Sequence, residues 1–498
     1  MNWLARQARA NPHAPAVRAG ERVLTYAGLA GAAARAAEVF REAGVGPGER
    51  VAVRLGNRLE HVVAIHGAAW AGAVLVEIHP KLAPAEVPDL LKAAKARLLV
   101  TEAEDPVASP VVRPSLPCPV LAASAVAEEA PGGGFDPPPA PRRADAVSSV
   151  LFTSGTTGRP RPVPLTCGNH LASAAASAWN LGIRPDDDWL CCLPLAHVGG
   201  LAILVRSVLQ GTCVTLLDGF DPAAVGERLS SGRVSLASLV PTMLRRFLEV
   251  APDARGDDPG GSATGEPGNR EPLASPRLRA VLLGGGPADP ELVAAARDRG
   301  LPVLTTYGMT ETASQVATLP PGAPRPRWAS AGLPLPGAEV AIRRKDGSGA
   351  KPGEPGEIAV RGPMVCQEAA GPGGWLATGD LGRLDGDGFL WVEGRLDELV
   401  VTGGENVSPR EVERVLREHP AVAEVAVAGV PDPEWGHLLA AALVPRNAAD
   451  PPSPGALASW CRERLAPFKV PKRWRIVEEL PRTGSGKVAR EQVQQLLV

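Results

Sequence analysis

The chain has 498 residues, which at roughly 100 to 200 residues per domain is enough for two to four folded units. Its 52 basic and 54 acidic residues give a formal charge of -2 with no long like-charged block, which excludes a nucleic-acid binder that relies on massed Lys and Arg. A hydrophobic fraction of 45% is ordinary for a globular chain, and the seven scattered cysteines contain no CxxC pair, so neither a disulfide framework nor a zinc site is indicated and a reducing, cytoplasmic setting is expected.

Taken in chain order, residues 1–10 carry Arg6 and Arg9 and lack the apolar run of a signal peptide. An Ala-rich helix is predicted over 26–44, a strand over 50–55, a helix over 61–71 and a strand over 74–78; strands alternating with helices predict a parallel α/β sheet. Residues 129–144, rich in Gly and Pro, read as a surface connection. A short strand over 149–152 follows. The uncharged, strongly apolar stretch 189–205 is broken by Pro194, His197 and a Gly pair and ends at Arg206, short of the roughly 20 apolar residues a membrane span needs. Strands over 235–240 and 278–283 flank a second Gly, Asp and Pro-rich segment at 251–272, which reads as a loop within a domain. Beyond Gly394 the character changes, with a helix over 409–418, strands over 422–430 and 438–444 and a helix over 459–465. This predicts a small α+β lid, and a division into domains 1–394 and 395–498.

Six residues after the strand at 149–152 concentrate polar groups: Thr153, Ser154, Gly155, Thr156, Thr157 and Gly158. Glycines let backbone N–H groups turn toward a ligand and hydroxyls add donors, which suits phosphate oxygens. No GK[ST] follows Gly158, and Val488 follows Lys487 in the other Gly-rich candidate, so the P-loop of ordinary NTPases is set aside. Further segments combine glycines with polar groups at strand ends, where open α/β sheets collect ligands. They are Gly284, Gly285, Gly286 and Pro287; Tyr307, Gly308, Thr310 and Glu311; Asp380 in a Thr-Gly-Asp turn; Arg395 and Asp397; Gly403 and Gly404; and the terminal Lys487. Taken singly, each reads as a turn, a solvated ion pair or a tail.

In order and spacing these segments resemble the adenylate-forming superfamily of acyl-CoA synthetases, adenylation domains and luciferases, from about residue 20 to the end. The resemblance implies an α/β fold, with a large N-terminal domain of layered α/β subdomains and a β-barrel-like part, capped by a small mobile α+β C-terminal lid. It implies that 153–158 with Arg161 hold the triphosphate, that Gly284 to Pro287 with Tyr307 and Gly308 hold the adenine, and that Thr310 meets the α-phosphate. Glu311 would hold Mg2+, Asp380 and Arg395 the ribose, Asp397 would be the hinge and Lys487 the catalytic lysine. Gly403 and Gly404 would line the path of CoA. The family's Pro-Lys-Gly after the phosphate loop is replaced by Pro160, Arg161 and Pro162; Arg161 keeps the charge, while Pro162 removes an N–H donor, which predicts altered pyrophosphate handling.

Within the superfamily the nearest resemblance is to 2-succinylbenzoate:CoA ligases of menaquinone biosynthesis. It rests on LPLAHVGGL at 193–201, TYGMTETASQ at 306–315, SPREV at 408–412, PDPEWG at 431–436 and FKVPK at 468–472. By that resemblance His197 lines the acyl pocket and gates the thiol's path, and Ser314 and Gln315 are candidates to bind the substrate's second carboxylate. The expected reaction joins a carboxylic acid to CoA at the expense of ATP, with small molecules as the only partners. A different aryl or fatty acid, or a nucleotide-binding homologue without catalysis, remains an alternative, and oligomeric state is open, with a homodimer among the options.

Overall fold

A computed structural model of the chain describes residues 2–110, 112–126, 142–154, 160–251, 273–286, 288–396, 400–402, 405–432, 436–465, 467–483 and 488–498. The contacts divide it into two compact units, 1–340 with 360–376, and 341–359 with 377–498.

The first unit is α/β and rests on two sheets. One has six strands in the spatial order Val120–Ala122, Leu98–Thr101, Arg50–Arg54, Val74–Glu77, Val147–Ser154 and Pro160–Thr166, parallel except for the last. The other has nine, in the order Leu333–Pro334, Ser314–Thr318, Val303–Met309, Ala280–Leu283, Leu236–Leu239, Asp188–Cys191, Cys213–Leu216, Pro15–Ala19 and Arg22–Thr25, with a parallel centre and antiparallel edges. Parallel strands covered on both faces need continuous apolar runs, and Val51 to Val53, Leu98 to Val100 and Val281 to Leu283 are all buried. The helix Tyr26–Glu42 starts where Thr25 accepts a hydrogen bond from the Gly28 N–H, and its Ala-rich face is buried against the helix Leu59–Ala71.

In the second unit most of a four-stranded sheet, Glu339–Arg343, Gly356–Arg361, Leu376–Leu384 and Leu390–Arg395, is followed by a two-stranded antiparallel sheet of Val400–Thr402 and Glu405–Val407. A three-stranded sheet, Val422–Asp432, Gly436–Pro445 and Arg473–Ile476, carries the helices Pro409–Arg417, Pro454–Arg462 and Arg490–Leu497. Glu413, almost fully buried, ties this unit together: it pairs with Arg417 and Arg490 and accepts from the Val427 N–H at 2.8 Å.

The helix expected at 459–465 lies instead at Pro454–Arg462, because Ser453 caps the Ala456 N–H and Pro454 occupies the first helical position. The uncharged stretch 189–205 divides between the end of a strand and the helix Val198–Gln210, and no helix among the described residues is long and apolar enough to cross a membrane. The segments read as loops at 129–144 and 251–272 fall almost wholly outside the described residues.

Candidate functional site

Thr153 and Ser154 end the strand Val147–Ser154, and the antiparallel partner Pro160–Thr166 pairs Thr153 with Arg161, so the described residues on either side of the predicted phosphate loop are neighbours in one sheet. Gly155, Thr156, Thr157 and Gly158 lie outside the described residues. Arg161 is exposed. Pro160, Pro162 and Pro164 alternate along an edge strand, where the missing N–H groups share one side. That side is the outer one, since the Pro164 carbonyl accepts from the Cys366 thiol at 3.0 Å. The donor that Pro162 removes is therefore absent from the edge beside Thr310–Thr312, and the ladder to the neighbouring strand keeps its donors.

Gly284 closes the strand Ala280–Leu283 against Thr306, where a Cβ would stand 2.7 Å from the Thr306 methyl, leaving a flat backbone surface. Pro287 lies outside the described residues. The next strand, Val303–Met309, brings the half-buried Tyr307 and turns back into Ser314–Thr318 through Thr310, Glu311 and Thr312. This hairpin is tight: a Cβ on Gly308 would stand 1.7 Å from the Ser314 carbonyl oxygen, and Ala313 and Ser314 have φ of 50° and 104°. Non-glycine residues held at positive φ store strain where the surroundings force it. The Thr312 hydroxyl binds the Met309 N–H and the Met309 and Ser314 carbonyls and supplies that force. The Glu311 carboxylate forms no hydrogen bond or ion pair among the described residues. A hard, unneutralised oxygen donor of this kind fits Mg2+.

His197 caps the helix Val198–Gln210 and is exposed. Gly200 is required there, since a Cβ would stand 2.3 Å from the Pro194 carbonyl oxygen. Asn57 clamps the preceding turn, donating to the Leu193 carbonyl at 2.9 Å and accepting from the Leu195 N–H at 3.0 Å. Asn57 is held in turn through Gly56, whose carbonyl accepts from the fully buried His61, itself paired with Glu77 at 3.0 Å. The ring of His79 lies 4.9 Å from that of His197, and burial together with the charges of His197, Lys81 and Arg54 pushes His79 down to about 4.

In the same helix that His197 begins, Arg206 is 2% exposed and carries a charge that no carboxylate among the described residues balances. Its guanidinium donates to the Ser314 hydroxyl at 3.1 Å and lies 5.5 Å from the Trp189 ring, while its Nε has no partner. Burial pulls its titration down to about 10, so it stays cationic at neutral pH. Burial and then the nearby Arg206 charge push His170 down to about 4. A buried cation without a counter-ion is costly unless an anion arrives. Gln315, by contrast, spends its amide hydrogens on Thr306 and Thr318 at 3.2 and 3.1 Å, and only its acceptor oxygen is unpaired. Its amide hydrogens are therefore both engaged, whereas the Arg206 guanidinium keeps an Nε without a partner. The one signal for Arg206 in the sequence was a lone charge in an otherwise apolar helix.

In the second unit, Asp380 and Arg395 face each other across adjacent strands and form an ion pair at 3.2 Å, with Arg395 also donating to the Thr378 carbonyl at 3.1 Å. Asp397, Gly403, Gly404 and Lys487 lie outside the described residues.

Residues 4–368 match the family model described as AMP-binding enzyme, and residues 411–487 match the AMP-binding enzyme C-terminal domain. A 2-succinylbenzoate–CoA ligase of Geobacillus kaustophilus (strain HTA426) is 39% identical over 505 residues, covering 100% of this chain and 98% of its own length. That of Bacillus subtilis (strain 168) is 38% identical, covering 99% and 97%. The solved o-succinylbenzoate CoA synthetase of Bacillus subtilis with the acyl-adenylate intermediate superposes with a TM-score of 0.87 at 36% identity, covering 99% of this chain and 98% of that one. The same enzyme with ATP and magnesium ion gives 0.86 at 36% identity and the same coverage.

Proposed function

The chain belongs to the AMP-binding enzyme family, and from that premise we propose that it is an ATP-dependent, AMP-forming acid:CoA ligase whose acid is 2-succinylbenzoate, activated for menaquinone biosynthesis. The observation that carries the choice of acid is Arg206. A monocarboxylic acid spends its only carboxylate in the reaction, whereas a dicarboxylic acid leaves one to be held, and a buried guanidinium hydrogen-bonded to Ser314 meets that need.

In the first half-reaction a carboxylate oxygen of the acid attacks the α-phosphorus of ATP, the bond to the bridging oxygen breaks and pyrophosphate leaves. Residues 153–158 and Arg161 hold the phosphates, Gly284 to Pro287 with Tyr307 and Gly308 hold the adenine, and Asp380 and Arg395 hold the ribose. Thr310 meets the α-phosphate, and Lys487 offsets the charge that develops there. Glu311 is the ligand for Mg2+, which when bound screens the charge of the phosphates. In the second half-reaction the CoA sulfur attacks the acyl carbon, AMP leaves and the thiol proton is lost to solvent. His197 borders the acyl pocket, and Gly403 and Gly404 line the thiol's route. The working division is 1–394 and 395–498, with rotation near Asp397 exchanging the face that carries Lys487 for the face that admits CoA. The partners are small molecules and the setting is cytoplasmic.

Pyrophosphate release measured over a panel of acids tests the assignment. 2-Succinylbenzoate should give the highest kcat/KM, above benzoate, coumarate and octanoate; a maximum at octanoate would remove the acid while leaving the reaction class.

A further inference from the structure

The strands Arg50–Arg54 and Val74–Glu77 are parallel neighbours in the six-stranded sheet, and the turn after each of them reaches the segment 193–197, which follows the strand Asp188–Cys191 of the nine-stranded sheet. From the first turn Asn57 fixes the backbone on either side of Pro194. From the second, His79 lays its ring beside that of His197, with the centroids 4.9 Å apart and the planes inclined by 35°. That separation is the one offset aromatic pairs adopt.

His79 is itself held from both sides. Arg54 donates to the His79 carbonyl at 2.8 Å and to the Leu82 carbonyl at 3.1 Å, and its guanidinium is paired with the buried Asp105 at 3.0 Å. The Lys81 N–H donates to His79 Nδ1 at 3.1 Å, so the single proton of the neutral ring sits on Nε2. Burial first, then the charges of His197, Lys81 and Arg54, keeps His79 uncharged down to about pH 4. A neutral imidazole can lie against His197 whether or not His197 carries a proton. The turn by itself does not call for a ring, since any side chain with an acceptor two bonds from Cβ could take the Lys81 N–H. His197 stands at the start of the helix Val198–Gln210, and its side chain makes no capping hydrogen bond there, so the helix end does not orient it.

We infer that His79 is a positioning residue, whose ring keeps the ring of His197 in the orientation that leaves the thiol's path open. The inference rests on the reading of His197 as the group that gates that path, and it confines the effect of His79 to the second half-reaction.

Two substitutions separate the ring from the turn. In His79→Asn the amide oxygen, bonded to Cγ as Nδ1 is, keeps the Lys81 N–H bond while the ring is removed; in His79→Phe the ring stays and the acceptor goes. A ring contact of this kind shifts the population of a side-chain orientation by about three- to tenfold, and a competent state that is less populated raises the apparent binding constant by the same factor. With presynthesised acyl adenylate, His79→Asn should therefore raise KM for CoA about three- to tenfold and leave the rate at saturating CoA within about twofold. Adenylate formation from saturating acid and ATP, and the thermal midpoint, should match the parent. His79→Phe should hold KM for CoA within about twofold of the parent, even where loss of the Lys81 bond lowers its thermal midpoint. His197→Ala is the reference and should change KM for CoA in the same assay. If it does not, the gate falls and the inference with it. If His197→Ala changes KM while His79→Asn does not, if His79→Asn slows both half-reactions alike, or if His79→Phe is as impaired toward CoA as His79→Asn, the gate stands and the role of His79 is refuted.

Discussion

Replacing Arg206 with Met should weaken the use of 2-succinylbenzoate while leaving the empty fold at least as stable as before. The guanidinium is 2% exposed, has one hydrogen bond to a neutral hydroxyl at 3.1 Å and faces no carboxylate among the described residues. In the absence of substrate it is a buried charge without compensation. Apolar replacement of buried ionic groups is often neutral or stabilising by about 1 to 4 kcal/mol. Methionine has the length and flexibility to fill the space beside Trp189. With substrate bound, the same group is half of a desolvated charge pair, whose loss costs about 2 to 5 kcal/mol. That corresponds to about 30-fold to a few thousand-fold in kcat/KM, carried mainly by KM because the contact persists from ground state to transition state. The assay is pyrophosphate release with 2-succinylbenzoate and, in parallel, with benzoate, which has no second carboxylate to hold and should lose less than about threefold. The thermal midpoint supplies the other half of the test, and the His170 titration, relieved of a neighbouring cation, should move up from about 4. An equal loss for benzoate, or a fold destabilised by several degrees, would show that Arg206 holds the protein together and does not read the acid.

Burial works against a charged His61, but the Glu77 carboxylate and the carbonyls of Gly56 and Leu55 outweigh it, and its titration is raised. A raised folded-state value means the pair stabilises fully below the unfolded value of about 6.5 and loses that contribution as pH climbs through the folded value. Glu77→Gln should therefore cost about 3 to 5 kcal/mol at pH 6 and distinctly less at pH 9; thermal midpoints at the two pH values with an equal loss at both would contradict the charged pair. Lys487→Ala should abolish adenylate formation from acid and ATP yet still convert presynthesised acyl adenylate to the CoA thioester, and Gly404→Leu should do the reverse, because charge at phosphorus is gone once the adenylate exists. Single-turnover assays of each half-reaction decide this, and equal slowing of both halves by Lys487→Ala would remove the lysine from a single lid orientation.

The α/β class and the chain order of the segments that carry chemistry were legible in the sequence, because both are local signals. Apolar runs over 51–53 and 281–283 mark strands buried on both faces, and glycines with hydroxyls at strand ends mark places where backbone must meet a ligand. The misplaced helix at 454–462 was local too: Ser453 and Pro454 announce its start, and periodicity alone passed over them. Register and long-range pairing belong to the tertiary structure. Asp380 finds Arg395 only because two strands align at that position, and a pair 15 residues apart in the chain is not announced by sequence spacing. Ser314 and Gln315 are adjacent in sequence, but successive side chains of a strand point to opposite faces. One therefore meets Arg206 from 108 residues away, while the other is consumed by Thr306 and Thr318. Sequence spacing shows which residue types are available; which of them keeps a free donor or an unbalanced charge depends on what the fold packs against it, and that is decided only when distant segments meet.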